Sequence, residues 1–227
     1  NGSYLTALRT GAVSGAATDL LAREDASTLV VIGAGVQGVT QAAAVAAVRP
    51  IERIIAVARS EETLASYREA IAADWPDLAD RLETTTDPAV VAEADVICTA
   101  TNSRTPVFDD ALVRPGTHIN AVGSFRPDMQ ELPSGIVTRA TIVVDQVEAA
   151  LEEAGDFLVP IERGELDRSR IERELGQIVA GAAEGRSASD EVTIFKSVGN
   201  AVQDVTVARH AVERARESGR GQEVSID

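Results

Sequence analysis

Residues Thr28 to Gly38 read TLVVIGAGVQG: an apolar run of strand length, glycines at 33, 35 and 38, and then an alanine-rich segment of helical length. Strand, glycine turn and helix in that order form the fingerprint of a dinucleotide-binding βαβ unit. Gly33 permits the tight turn, Gly35 lets the backbone approach a pyrophosphate, and Gly38 lets the helix pack closely on the strand. The unpaired N–H groups at the helix start, with Ala34, Val36 and Gln37 completing the turn, are expected to face the phosphates, where the helix dipole also favours negative charge. Glycine turns are common, so the flanking strand and helix give this one its meaning.

Outward from the fingerprint, strands and helices alternate. Strands are expected at Arg53 to Ala58, Leu82 to Thr86, Asp95 to Ala100, Thr117 to Val122 and Thr141 to Asp145. Helices are expected at Leu5 to Arg23, Val36 to Val48, Glu61 to Ala73 and, in shorter form, Pro88 to Glu93. Such alternation predicts an α/β fold, a Rossmann-type doubly wound parallel sheet. Past Asp145 the pattern changes to a helix over Gln146 to Gly155, a turn over Pro160 to Gly164, a helix over Ile171 to Val179 and a short strand over Glu191 to Ser197. Gly199 to Ser218 then reads as a long amphipathic helix with Val202, Val205, Ala208 and Val212 on one side. That apolar side needs a partner surface: the sheet, the first helix or another subunit. Arg220 to Asp227 is expected to be a mobile tail.

Two strand ends bear on the cofactor. An acid about 20 residues past the glycines would hold the ribose hydroxyls of NAD, whereas an arginine suits the 2′-phosphate of NADP. Arg59 and Ser60 stand there, so NADP(H) is preferred; Glu61 and Glu62 nearby leave NAD(H) open. The fourth strand ends in Thr99, Ala100 and Thr101, at the edge where parallel sheets bind ligands.

Composition excludes other classes. The 227 residues can bury a sizeable core, and 36 acidic against 21 basic residues give a formal charge of −15. That field disfavours nucleic acid and anionic membrane surfaces. Cys98 is the only cysteine, so there is no intrachain disulfide, which fits a reducing, cytoplasmic setting. It sits within a strand as a small apolar residue rather than a nucleophile. No His, Cys and carboxylate cluster has metal-ligand spacing, so no metal is expected. His118 is expected to be a structural histidine, and Asp109-Asp110 a helix cap. The chain opens on Asn1 and runs straight into a helix, which suggests that further sequence precedes it.

Five separated segments, ALRTGAVSG, VVIGAGVQG, TATNSRTPVF, INAVGSFRPDMQEL and GRSASDEVTIFKSVGNAVQDV, resemble the ornithine cyclodeaminase/mu-crystallin family in order and spacing. The resemblance implies a dimer of two-domain subunits. Residues 1–23 would lead from a partial second (substrate and dimerisation) domain, 24–190 would form the Rossmann domain, and 191–227 would return to the second. It also implies an active-site lysine that lies upstream of Asn1 in the family.

Within that family, Phe125 occupies the place where cyclodeaminases carry a catalytic Asp. A phenyl ring cannot transfer a proton, and the SFRPDMQEL form is closer to mu-crystallin and the cyclic-ketimine reductases. The expected reaction is NAD(P)H-dependent reduction of a cyclic imine carboxylate of the Δ1-pyrroline-2-carboxylate or Δ1-piperideine-2-carboxylate type. Cyclodeamination of ornithine, an alanine or opine-type dehydrogenase, and a noncatalytic NADP-dependent binding protein remain alternatives. Arg9 is the candidate partner of the substrate carboxylate, because a guanidinium binds it bidentately and keeps its charge. Thr10 is expected to reach the cofactor phosphates, Ser124 to line the cofactor site, and Lys196 to approach its nicotinamide side.

Overall fold

The computed structural model describes residues 2–222 and 224; the end of the expected tail, residues 223 and 225–227, lies outside the described residues. Seven parallel strands form one sheet in the order β3-β2-β1-β4-β5-β7-β6. They are β1 (Thr28–Ile32), β2 (Arg53–Val57), β3 (Leu82–Thr85), β4 (Val96–Thr99), β5 (His118–Ala121), β6 (Thr141–Val144) and β7 (Thr193–Lys196). From β1 the chain builds outward through β2 and β3, then crosses over so that β4 pairs with the other edge of β1. This reversal leaves a crevice at the carboxyl ends of β1 and β4, the usual ligand position of such sheets.

The helices are α1 (Gly2–Leu21), α2 (Val36–Val48), α3 (Glu61–Asp74), α4 (Pro76–Ala79), α5 (Ser134–Arg139), α6 (Val147–Glu153), α7 (Gly155–Glu162), α8 (Leu175–Val179) and α9 (Ala201–Glu217). Because successive strand residues face opposite sides, the sheet divides the core into layers. Leu29, Val31, Ile54 and Ala56 pack with Val39, Ala42 and Val45 of α2 and Leu64 and Ile71 of α3. Val30, Ile32, Ile97 and Ile119 pack on the opposite side with Leu132, Ile136, Phe157 and Ile194. A smaller cluster joins Ala17 and Leu21 of α1 to Val143, Leu175 and Phe195. α1 packs against α2 and α9, so it links the glycine turn's helix to the far end of the chain.

Three expectations need correction. The strand expected at Glu191 to Ser197, in the return to a second domain, spans Thr193–Lys196 and pairs with β5 on one side and β6 on the other. The sheet domain therefore runs through Lys196, and the boundary at residue 190 is displaced. The helix expected from Ile171 begins only at Leu175. Val144 N–H donates to Arg173 O at 2.9 Å and Val144 bridges Glu174, which holds this stretch extended; Glu174 and Gln177 then form the capping box that starts α8. Pro160, expected in a turn, is buried inside α7. Asp109 does cap a short turn of helix, accepting from Ala111 N–H at 3.0 Å.

Candidate active site

The glycine turn is built as its spacing predicts. Gly33 has φ +108°, and a Cβ there would overlap the Ala100 carbonyl. A Cβ on Gly38 would overlap the Gly33 carbonyl, so the helix can lie this close to the turn only with glycine. Gly35 differs: its φ of −103° suits any residue, and nothing lies within 4 Å of an added Cβ. That empty space opens into a cavity of about 1230 Å³, larger than the ~300–1,000 Å³ of an ordinary small-ligand pocket. It has room for a dinucleotide beside a small acid.

The cavity runs along the carboxyl edge of the sheet. Gly33, Ala34, Gly35 and Gln37 line its middle, Arg59, Ser60 and Thr63 one end, and Ala100, Thr101, Gly123 and Phe125 the wall beyond β4 and β5. Arg9, Thr10, Ser197 and Gly199 also line it. Arg59 is exposed at the end of β2, and Ser60 caps α3 by accepting from Thr63 N–H at 3.3 Å. These residues suit a dinucleotide: Gly35 and the start of α2 could hold a pyrophosphate, and Ala58 to Ser60 an adenosine ribose.

The structure thus brings together Arg9, Thr10, Gly33, Ala34, Gly35, Gln37, Arg59, Ser60, Ala100 and Thr101. Other expected cofactor residues stand away from the cavity wall. Val36 is 67% exposed, and Gly38 serves the packing of α2. Thr10 does line the cavity, but its hydroxyl donates to Thr6 O at 2.8 Å, one turn back along α1. Thr99, Ser124 and Lys196 are wholly buried behind the wall. Thr99 Oγ1 donates to Glu131 Oε2 at 2.9 Å, and Ser124 Oγ to Met129 O at 2.9 Å. Lys196, expected beside the nicotinamide, turns instead into the protein, where its Nζ lies 2.9 Å from Asp156 Oδ2.

Two residues to which no role was given organise this wall. Glu131 Oε1 accepts from Thr101 N–H at 2.6 Å and Thr101 Oγ1 at 2.8 Å. Its Oε2 accepts from Thr99 Oγ1 and from the N–H groups of Gly123 and Ser124 at 2.7 and 3.1 Å. One carboxylate therefore ties the end of β4 to the end of β5. Burial pushes the Glu131 carboxyl upward and nearby Asp156 adds to this, while Lys196 and the Thr101 N–H and hydroxyl act against it. Each Glu131 oxygen accepts from at least one backbone N–H, so the side chain serves as the shared acceptor at the junction of the two strands. Asp156 Oδ1 in turn accepts from Glu131 and Leu132 N–H at 2.6 and 2.8 Å. The available signal was an acid inside apolar runs, in MQEL and GDFL, where a solvated carboxylate is out of place.

Other candidates play structural parts. His118 is buried, with Nδ1 2.9 Å from Thr193 Oγ1 and Nε2 3.2 Å from Asn120 Oδ1. Burial pushes the Cys98 thiol up to about 12, so it stays protonated and unreactive. Among the described residues, no three His, Cys, Asp or Glu side chains are placed to hold a metal ion, and no helix is long and apolar enough to cross a membrane.

A Δ1-pyrroline-2-carboxylate reductase of Bacillus cereus is 50% identical over 226 residues, covering 99% of this chain and 69% of its own length. The Thermococcus litoralis Δ1-pyrroline-2-carboxylate reductase, solved with NADH and L-proline, superposes with a TM-score of 0.93 at 39% identity, over 98% of this chain and 68% of that one. An archaeal alanine dehydrogenase dimer with bound NAD gives a TM-score of 0.86 at 34% identity, over 99% and 68%. The profile of the ornithine cyclodeaminase/mu-crystallin family matches residues 1–219, and the chain belongs to that family.

Proposed function

We propose that this protein reduces a cyclic imine carboxylate of the Δ1-pyrroline-2-carboxylate type with a nicotinamide dinucleotide. The observation that carries the reading is a single cavity joining the glycine turn to Arg9, in a chain 50% identical to a reductase of that substrate. The reduced nicotinamide supplies the hydride when bound. The chain's own residues bind and orient. Arg9, with a side chain only 13% exposed, offers a fixed positive charge to the carboxylate next to the C=N bond. The wall of Ala100, Thr101 and Gly123, tied down by Glu131, fixes where the imine carbon meets the cofactor. Phe125, at the position of the cyclodeaminase acid, can shield the site but cannot move a proton, which speaks against ornithine cyclisation.

Arg59 supports NADP(H) over NAD(H), because its guanidinium can meet a 2′-phosphate and no carboxylate stands at Ala58 to take the ribose hydroxyls. The relatives with NADH and NAD keep the second cofactor in view. On α9, Val202, Val205 and Val212 are each at least half exposed, which supports a homodimer through this face.

Following the nicotinamide absorbance with Δ1-pyrroline-2-carboxylate and either cofactor tests the reading; turnover with NADPH is expected. Binding of cofactor without turnover of any cyclic imine carboxylate would favour the binding-protein alternative. The likeness to an alanine dehydrogenase favours a second reading, reduction of an acyclic imine formed from pyruvate and ammonia. Greater kcat/KM for pyruvate and ammonia than for the cyclic imine would establish it.

A further inference from the structure

Arg9 is gripped from α9. Its Nε donates to Asp204 Oδ1 at 3.2 Å and its Nη1 to Gln203 Oε1 at 2.9 Å. The guanidinium lies over Gly199, where an added Cβ would come within 3.1 and 3.0 Å of Nη1 and Nη2. Gly199, at φ +98°, is itself fixed: its N–H and the Ser197 hydroxyl donate to Asp145 Oδ2 at 2.9 and 2.7 Å. Arg9 and Gly199 line the cavity, whereas Gln203 and Asp204 stand behind them. Among the described residues Nη2 donates to no partner, so α9 holds Nε and Nη1 and leaves Nη2 for a ligand.

We infer that Gln203 and Asp204 are positioning residues that set the orientation of Arg9, and thereby the enzyme's affinity for the carboxylate of its substrate. The inference rests on the reading of Arg9 as the carboxylate partner. An arginine loses much rotamer freedom when it binds, and a fork already held on two nitrogens has less to lose. Two effects of Asp204 oppose each other. Its acceptor oxygen orients the fork, while its negative charge repels a substrate carboxylate. Asp204 is 40% exposed, so solvent weakens the charge effect, and orientation dominates. Gln203 contributes orientation with no charge at all.

The test compares Q203A/D204A, D204N and R9Q in the full-length enzyme, by steady-state kinetics with Δ1-pyrroline-2-carboxylate and by dinucleotide titration. In Q203A/D204A, KM for the imine is expected to rise about tenfold, with kcat within about twofold, as when binding common to ground and transition state is removed. Dinucleotide affinity should stay as in the parent. D204N keeps an acceptor for Nε without the charge, so it should recover most of the KM. The inference is overturned if KM is unchanged in Q203A/D204A, if D204N is as impaired as Q203A/D204A, or if dinucleotide affinity falls by the same factor as substrate affinity. R9Q separates the underlying reading. If R9Q leaves KM alone, the carboxylate role of Arg9 falls and the inference with it. If R9Q raises KM and the α9 variants do not, the inference alone falls.

Discussion

Lys196 Nζ lies 2.9 Å from Asp156 Oδ2, and both side chains are wholly excluded from solvent. The pair joins the last residue of β7 to the first turn of α7, and Asp156 passes its hold on to the backbone of Glu131 and Leu132. Lys196 thus reaches the cavity wall through this relay, from Asp156 to Glu131 and from Glu131 to the ends of β4 and β5.

Removing one partner of a buried ion pair leaves the other charge uncompensated. K196M is therefore expected to lower unfolding stability by about 3–5 kcal/mol. K196M/D156N removes both charges and keeps an oxygen for the Glu131 and Leu132 N–H groups, so it should regain part of that loss. Urea denaturation of the parent and both variants measures the order. A K196M protein within about 1 kcal/mol of the parent would show that the pair does not hold this wall together.

The glycines of the turn should separate into structural and ligand-facing positions. A Cβ at Gly38 meets the Gly33 carbonyl and has nowhere to go, so G38A should destabilise the fold, by about 1–3 kcal/mol for an overpacked site. Gly35 has ordinary backbone angles and open space. G35V should unfold at the same denaturant concentration as the parent when no dinucleotide is present, yet bind the dinucleotide at least tenfold more weakly, about 1.4 kcal/mol. Equal dinucleotide affinity in G35V and parent would move the pyrophosphate elsewhere.

Cofactor choice is predicted to rest on Arg59. A hydrogen bond to a charged group is worth about 1.5–3 kcal/mol, and exposure of Arg59 places it at the low end. R59A should weaken NADPH about tenfold and leave NADH within about twofold. Titration of both cofactors, quenching the protein or exciting the nicotinamide, reads the ratio. Loss of the same factor for both would mean that Arg59 meets the shared part of the cofactor rather than a 2′-phosphate.

What could be read from sequence and what could not divide along a physical line. The glycine turn, the strand period and the cap at Asp109 are local, and a few neighbouring residues determine them. The place of β7 between β5 and β6 is not local: its pairing depends on strands far back along the chain, and TIFK is equally apolar in a sheet or in a second domain. The same holds for Lys196. As the only lysine, beside a site motif, it invited a functional role, but which side of the wall it faces depends on Asp156, forty residues earlier in a helix. Arg9 was legible as a cation in a family motif, whereas its grip by Gln203 and Asp204 spans nearly the whole chain.

His118 makes the stability of this protein depend on pH between neutrality and mild acid. Burial pushes its imidazole down to about 3, the Asn120 bond works against this, and Arg186 and Arg49 add to the lowering. The folded value lies below the unfolded 6.5, so between these two the unfolded chain binds one more proton than the native one. Stability is then fully present above about pH 6.5 and is lost as pH falls, by about 1.4 kcal/mol per pH unit. Carboxylates held low in the native state, such as Asp95 with its Ser27 and Thr28 N–H bonds and Arg23, add their own loss only at lower pH. Denaturation at pH 7.5, 6 and 5 should show the decline in the parent. In H118N, with a side chain that does not titrate, the decline over this window should flatten even though the variant is less stable at pH 7.5. An unchanged slope would assign the proton uptake to another group.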